Sequence, residues 1–243
     1  MSQYKPQFTV TDTIHRLKSQ IIKQEKYGVD KPHIHATQQM IHNAHIRSVH
    51  STLAIENILL TPPEVADIID NEYVSCTQQE IRAVKNAYEA YNLLDPYHPP
   101  NPYSIVDILH AHRVFMTGLS PAKEVGCLRS DKLMQRHMDN LLDWVQTSDE
   151  HQLIKSCVFH HEFMLIQPFG VGNGYVARLW QILLLYKWRM PLGLPLADFI
   201  LKRRQDYFDV LAIPNKATGS TKFLEFMLQA IKDAVVEFDR DLV

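Results

Sequence analysis

Helix-start signals recur along this chain and restrict the folds that it can adopt. Thr61 stands before two prolines and Glu64, and Thr77 stands three residues before Glu80, the spacing of a capping box. Ser104 begins a third such segment. Apolar residues three and four positions apart follow each signal, whereas alternating β-branched runs between glycine-rich turns are nearly absent, and glycine supplies only 8 of 243 residues. The sequence therefore predicts an all-α fold.

The apolar spacing and the caps together predict where the helices lie. The predicted helices cover residues 8–26, 35–57, 62–70, 77–94, 104–117, 135–146, 149–166, 175–189, 196–211 and 220–240. The proline-rich stretch 94–102 is expected to separate an N-terminal helical part from the main body.

Charge, hydropathy and cysteine usage narrow the possible partners and the compartment. The formal net charge of -2 provides no basic field for nucleic acid, so a small molecule or a protein is the expected partner. No apolar signal segment opens the chain, and the run Ile182–Tyr186 is too short to span a bilayer, so no membrane association is expected. Cys76, Cys127 and Cys157 are odd in number and far apart, which favours a reducing, cytoplasmic location.

A glycine-rich segment between two predicted helices is the candidate for chemistry. Residues 167–178 read Gln-Pro-Phe-Gly-Val-Gly-Asn-Gly-Tyr-Val-Ala-Arg, with three glycines in five positions. Such a loop before a helix N-terminus can turn N–H groups toward an anion such as phosphate. A tight helix–helix turn without a ligand is the alternative. The segment lacks the preceding strand of a dinucleotide-binding loop and the Gly-Lys-Ser/Thr of a P-loop.

This segment resembles the signature of the Fic family, His-Pro-Phe-x-Asp/Glu-Gly-Asn-Gly-Arg-x-x-Arg. The residues that match in register are Pro168, Phe169, Gly172, Asn173, Gly174 and Arg178. The resemblance implies a Fido-type helical fold with a short β-hairpin flap. It also implies an N-terminal helical region with an inhibitory helix in residues 1–95, a Fic core in 96–215 and a C-terminal helix in 216–243.

Two shorter segments add to the resemblance. Thr52–Asn57 is similar to the [ST]-x-x-x-E-[GN] inhibitory motif of the family, which implies an inhibitory role for Glu56 and an ion pair between Glu56 and Arg178. Considered alone, the same hexapeptide reads as a helix end with Asn57 as its cap. Gly126–Arg129 resembles the Gly-x-x-Arg that precedes the flap.

The chain departs from the family at the positions that perform the reaction. Family members transfer AMP from ATP to a protein hydroxyl, with the histidine as base and the acid holding Mg²⁺. Gln167 stands at the catalytic position and has no usable basicity near neutral pH. Val171 cannot ligate a hard cation, so no metal ligand is assigned and Mg²⁺ loses its anchor. The nucleotide-binding positions implied by the resemblance are Phe169, Gly172, Asn173, Gly174, Tyr175, which brings no positive charge, and Arg178.

The histidines do not supply the missing base. His160 lies seven residues before Gln167, roughly 10 Å along a helix, and His161 is worse placed by angle, so packing roles are expected for both. The other histidine groupings lack the carboxylate company of a metal site; they are His33 with His35, His42 with His45, and His110 with His112.

The leading interpretation is a degenerate Fic-family protein with impaired AMP transfer and a regulatory role. It would bind ATP or another anionic nucleotide weakly and contact a target protein. The sequence leaves open whether it forms a homodimer. One alternative is an active nucleotidyltransferase in which Tyr175, Glu56 or the substrate replaces the base. Another is a non-catalytic helical regulator that binds protein or DNA, supported locally by the basic triplet Lys202–Arg204.

Overall fold

A computed structural model describes residues 4–29, 38–131, 133–213 and 219–241, and helices form nearly all of the regular structure in these ranges. In chain order they are α1 (Asp12–Val29), α2 (Gln38–Ile55), α3 (Pro62–Ile69), α4 (Gln78–Asn92), α5 (Ile105–Met116), α6 (Met134–Thr147), α7 (Gln152–Ile166), α8 (Asn173–Tyr186), α9 (Leu196–Lys202), α10 (Arg204–Ala212) and α11 (Thr221–Asp241). The described ranges contain no β-strand, so the predicted all-α class is confirmed for them.

Two central helices, α7 and α8, form the middle of the core. They pack against each other, while α6 and α11 cover α7, and α5 covers α8. Every residue from Leu153 to Phe163 of α7 and from Val176 to Leu185 of α8 is buried, as expected of helices enclosed on all sides. The α7–α8 loop (residues 167–172) therefore projects from the best packed part of the molecule. Among the described helices, none has the length and apolar character that crossing a bilayer requires.

Helix α2 is held in place from both sides along its length. It packs against α4 and α9. Arg47 donates to the Asp198 carboxylate on α9 (2.7 Å), and the Ser51 hydroxyl donates to the same carboxylate (2.6 Å). At its C-terminus the N–H of Ile58 reaches the carbonyl of Leu53 (3.0 Å), and Asn57 has φ 68°. This pattern is a Schellman motif, so the prediction of Asn57 as the cap of this helix is confirmed.

The capping boxes lie where the sequence predicts them, but several boundaries differ. Thr61 and Thr77 each accept a hydrogen bond from the N–H three residues on, and the glutamate there accepts from the threonine N–H. The first predicted helix begins later, at Asp12, because the Thr11 hydroxyl accepts from the Ile14 N–H (3.2 Å). Residues 35–37 of the second predicted helix lie outside the described ranges.

One predicted helix is two helices, and another begins earlier than expected. The interval 196–211 divides into α9 and α10 because Arg203 has φ -127° and ψ 39°, which breaks the helical path. Helix α8 begins at Asn173 rather than at residue 175, so Gly172 is its cap and Gly174 lies in its first turn. The three-part division into 1–95, 96–215 and 216–243 stays a prediction.

The expected β-hairpin flap is not found in the described residues. Gly126–Arg129 and the described residues between this motif and α6, which are 130, 131 and 133, form turns and irregular backbone, and Gly126 has φ 69°. The N–H of Arg129 donates to the carbonyl of Pro168 (2.8 Å). The segment thus makes this backbone hydrogen bond with the α7–α8 loop instead of with a second strand of its own, and a resemblance in four residues could not predict that choice.

The capping box of α4 gives a direct stability test. We expect Thr77→Ala to lower the free energy of unfolding by about 1 kcal/mol, because the Glu80 N–H loses its acceptor. Thr147→Ala is the matched control: the Thr147 hydroxyl donates to the Asp143 carbonyl within an exposed last turn, and its loss should change stability by less than about 0.5 kcal/mol. Urea unfolding measures both variants, and equal losses would contradict the assignment of the cap.

Candidate functional site

The α7–α8 loop is closed by its own residues. Gln167 is the C-cap of α7 in the left-handed region (φ 47°, ψ 63°), and Gly172 is the N-cap of α8 with φ 80°. The Asn173 side chain accepts from the Phe169 N–H (3.0 Å) and donates to the Phe169 carbonyl (2.9 Å). Phe169 is buried. The loop conformation is therefore fixed by the side chain of the first residue of α8 and by an aromatic anchor.

The His112 side chain packs against the α7–α8 loop and supports it, a role that the sequence did not reveal. Its ring stacks on Phe169 at a centroid distance of 3.7 Å and an angle of 6°. The Gly126 N–H donates to Nδ1 (2.9 Å), so Nδ1 is unprotonated, and Nε2–H donates to the Val171 carbonyl (3.0 Å). Burial lowers the pKa of His112, which agrees with this neutral tautomer. Sequence spacing grouped His112 only with His110, and no local signal pointed to a contact 59 residues away.

The segment that resembles Gly-x-x-Arg also reaches the loop. The Arg129 guanidinium donates to the Gln167 carbonyl (2.7 Å) and to the Ile166 carbonyl (3.1 Å). These carbonyls belong to the C-terminus of α7, where acceptors lack helical partners. Arg129 thus caps α7 and holds the start of the loop.

The predicted ion pair between Glu56 and Arg178 is present. Arg178 Nη2 lies 2.8 Å from Glu56 Oε1, and the Arg178 side chain is only 2% exposed. Arg178 also donates from Nε to the Thr52 hydroxyl (2.8 Å) and from Nη2 to the Thr52 carbonyl (3.2 Å). Burial acts to lower the pKa of Arg178, but Glu56 opposes this effect and the pKa rises overall. The segment Thr52–Asn57, which resembles the inhibitory motif, therefore contacts Arg178 of α8 through both Thr52 and Glu56.

The Glu56 carboxylate occupies the N-terminal end of α8. A β-carbon added to Gly174 would lie 2.2 Å from Glu56 Oε1 and 2.9 Å from Arg178 Nη1, so the absence of a side chain at Gly174 makes room for the ion pair. A carboxylate is favoured at a helix N-terminus, where N–H groups lack partners and the dipole is positive. Arg178 Nη1 is buried without a hydrogen-bond partner in the described residues. The geometry forms an anion cradle, consisting of the first turn of α8 and Arg178, that Glu56 fills.

Tyr175 contributes an aromatic face and no charge to the cradle. Its ring stacks on Phe115 (5.4 Å, 16°), and the Arg178 guanidinium lies 5.6 Å from the ring centroid. Burial, together with the nearby Glu56 carboxylate, raises the pKa of Tyr175 to about 12. The phenol therefore stays protonated at neutral pH.

The two positions expected to lack the base and the metal ligand face solvent. Gln167 is exposed, and Val171 is 49% exposed. The Val171 carbonyl already accepts from His112, and Glu124 approaches the loop near Gly170, 3.6 Å from the place of an added β-carbon. No group of three or more metal-ligating side chains occurs in the described residues. Mg²⁺ at phosphate sites is usually held by one or two carboxylates together with substrate phosphates, and Val171 supplies no carboxylate at this place in the loop.

His160 and His161 are packed in the core, as the sequence predicted. His160 is fully buried between Gln181 and the Tyr207 hydroxyl, which lies 2.9 Å from Nε2. His161 Nδ1 lies 2.8 Å from the Ser220 hydroxyl. Both rings are thus held by hydrogen bonds within the core, His160 by residues of α8 and α10 and His161 by the residue before α11.

Comparisons with known proteins agree with this fold and loop. Residues 102–185 match the sequence profile of the Fic/DOC family. The crystal structure of a Fic family protein from Desulfovibrio desulfuricans has a TM-score of 0.89 and 34% identity, and the match covers 98% of this chain and 77% of that one. The structure of Fic-1 from Caenorhabditis elegans has a TM-score of 0.78 at 18% identity, covering 93% and 71% of the two chains. The protein therefore belongs to the Fic family.

The similarity also extends to full-length relatives with a named activity. Protein adenylyltransferase fic-1 of C. elegans is 25% identical over 207 residues, and its Caenorhabditis briggsae counterpart is 24% identical over 205 residues. The alignment covers 75% of this chain in both cases. The chain spans 39% of the length of each of these relatives.

The buried side chain of His160, which lies near Arg178, predicts that the stability of the protein depends on pH. Burial lowers the pKa of His160 to about 3, whereas the unfolded chain takes up this proton near pH 6.5. Above pH 6.5 His160 is neutral in both states, and the free energy of unfolding carries no penalty from it. As the pH falls from 6.5 toward 3, the unfolded chain binds this proton and the folded protein does not, so the free energy of unfolding decreases by at most about 1.4 kcal/mol per pH unit. Urea unfolding at pH 7.5, 6.0 and 5.0 should show a shallower decline in His160→Gln than in the wild type. His98→Gln, at a side chain 88% exposed, should keep the wild-type slope, and equal slopes in all three proteins would contradict the prediction.

Proposed function

We propose that this chain is a degenerate Fic-family protein, related to protein adenylyltransferases, whose AMP transfer is impaired and whose anion cradle is held closed by Glu56. The observation that carries the proposal is the chemistry of the α7–α8 loop. Gln167 cannot accept the proton of an attacking hydroxyl, and Val171 offers no side-chain ligand to a cation. Loss of a general base alone removes about 10²–10⁴ in rate. The remaining function is then regulatory, through weak nucleotide binding or contact with a target protein.

The cradle fits one anionic group well. Its donors are the free N–H groups of the first turn of α8 and the Arg178 guanidinium, and the missing side chain of Gly174 leaves room for an oxyanion. The Glu56 carboxylate now takes this place. Bound ATP would supply the adenylyl group and the phosphates, and its terminal phosphate would have to displace Glu56. ATP or another anionic nucleotide is therefore the proposed ligand, with affinity reduced by the competing carboxylate.

An active enzyme with a replacement base is less well supported. Tyr175 has a pKa raised to about 12, which makes a phenolate rare at neutral pH. Glu56 is engaged with Arg178, and His160 is enclosed between Gln181 and Tyr207. None of these groups is free to take a proton while the ion pair is formed.

The basic triplet offers little support for nucleic-acid binding. Lys202 lies 3.4 Å from Glu237, and Arg203 lies 3.2 Å from Asp233. Arg204 donates to the backbone carbonyl at the end of α2. Each cation thus has a partner within the protein, and a phosphate backbone would have to compete with these contacts.

The proposal predicts that the wild-type protein transfers no AMP. Incubation with labelled ATP and Mg²⁺ should label neither the protein nor lysate proteins, because the loop lacks a base and a metal ligand. The triple variant Gln167→His, Val171→Asp, Tyr175→Arg should gain self-labelling. Gln167→Asn is the control, since it keeps a carboxamide at the same position. Label on the wild type that disappears in Gln167→Asn would overturn the impaired state, and a folded triple variant without label would show that the pocket has lost more than these side chains.

A second prediction concerns the closed cradle. Glu56→Gly should raise the affinity for ATP by about fivefold or more, because Arg178 and the α8 N-terminus are freed. The same variant should melt at a lower temperature without ligand, since Arg178 loses its carboxylate. Glu72→Gly removes an exposed carboxylate elsewhere and should change neither quantity. Titration calorimetry and thermal melts measure both effects, and unchanged ATP affinity in folded Glu56→Gly would refute the blocking role.

A further inference from the structure

Helix α10 begins with a side chain that contacts the end of α2. Arg204 donates from Nε to the Ile55 carbonyl (2.8 Å) and from Nη2 to the Asn57 side-chain oxygen (2.9 Å). Ile55 is the last residue of α2, and Asn57 is the left-handed residue of its Schellman motif. Glu56, the residue that fills the anion cradle, lies between these two anchors.

The position of Glu56 at a helix C-terminus is unfavourable unless it is compensated. The Ile55 carbonyl ends α2 and has no helical donor, and the negative end of the helix dipole repels a carboxylate. Arg204 supplies two donors and a positive charge at this place. A guanidinium offers its donors in a rigid fork, so two simultaneous hydrogen bonds set both the place and the orientation of the turn. The ring of Phe208 lies 4.9 Å from the Arg204 guanidinium and restrains it further.

The same helix reaches the other partner of the ion pair. Tyr207 follows Arg204 by three residues, so both side chains lie on one face of α10. The Tyr207 side chain is fully buried, interacts electrostatically with Arg178 and is hydrogen-bonded to His160 Nε2 (2.9 Å). Helix α10 therefore contacts the backbone that carries Glu56 and the surroundings of Arg178 at once.

We propose that Arg204 is a positioning residue that holds Glu56 in the anion cradle, so that the placement of α10 regulates access of anions to the cradle. This inference rests on the proposed blocking role of Glu56. It assigns the control of that role to a helix that follows α8 in the chain. An anion would then enter more easily whenever α10 releases the end of α2.

The test is a double-mutant cycle on anion affinity. Arg204→Lys keeps the charge but loses the two-point contact, and it is made in the wild-type and in the Glu56→Gly background. Titration calorimetry with ATP and with pyrophosphate should show a rise of about fivefold or more in the wild-type background and no change in the Glu56→Gly background. Arg203→Lys is the matched control, because Arg203 is the neighbouring arginine and pairs with Asp233 of α11. It should leave the affinity unchanged in both backgrounds.

Amide hydrogen exchange gives a second readout that needs no ligand. The Ile58 N–H, which bonds to the Leu53 carbonyl, should exchange faster in Arg204→Lys than in Arg203→Lys, while the buried N–H groups of α7 stay protected. If Glu56→Gly raises the anion affinity and Arg204→Lys does not, the positioning role of Arg204 is wrong and the blocking role stands. If Glu56→Gly leaves the affinity unchanged, the blocking role fails and the inference falls with it. Equal effects of Arg204→Lys in both backgrounds would show a direct contact with the anion, which also overturns the inference.

Discussion

The burial of the Arg178 guanidinium is the constraint on which the site depends. A charged group that is 2% exposed must have a counter-ion and hydrogen-bond acceptors, and α8 itself supplies neither. Both come from the C-terminal end of α2 and the residue that follows it, through Thr52 and Glu56. Since α2 lies more than a hundred residues before α8, this one buried cation fixes the packing of the N-terminal region against the loop. The anchors of α2 on α9 and α10 then act on the site through the same pair.

Two helix ends with opposite polarity meet at the Glu56 carboxylate. Glu56 directly follows the C-terminus of α2, where the helix dipole is unfavourable for a carboxylate. Its carboxylate lies at the N-terminus of α8, where the helix dipole is favourable. Arg178 provides a positive charge at the α8 end, and Arg204 provides one at the α2 end. The Glu56 carboxylate is therefore held by a balance of local charges and by contacts with neighbouring helices, and under the proposed function an incoming anion would have to compete with it.

The sequence predicted most of the helices and the residues of the loop, for identifiable physical reasons. Capping boxes are local, so Thr61 and Thr77 could be assigned from four residues each. The break at Arg203 was missed because residues 196–211 contain no glycine or proline that would mark it. His112 and Arg204 were missed because their partners are 59 and 149 residues away, and no local pattern reports such contacts. The flap was inferred from family resemblance alone, and the described residues between Gly126–Arg129 and the start of α6 contain no strand.

The matches to the family signature divide into residues that the fold needs and positions that face the solvent. Phe169 anchors the loop, Asn173 closes it, and Gly174 leaves room for the ion pair. These residues would be required for the shape of the loop even without a ligand, so their presence alone is not evidence of catalysis. Chemistry depends on the other positions. Gln167 and Val171 are exposed and offer neither a base nor a carboxylate, and the proposed impairment of AMP transfer rests on these two positions.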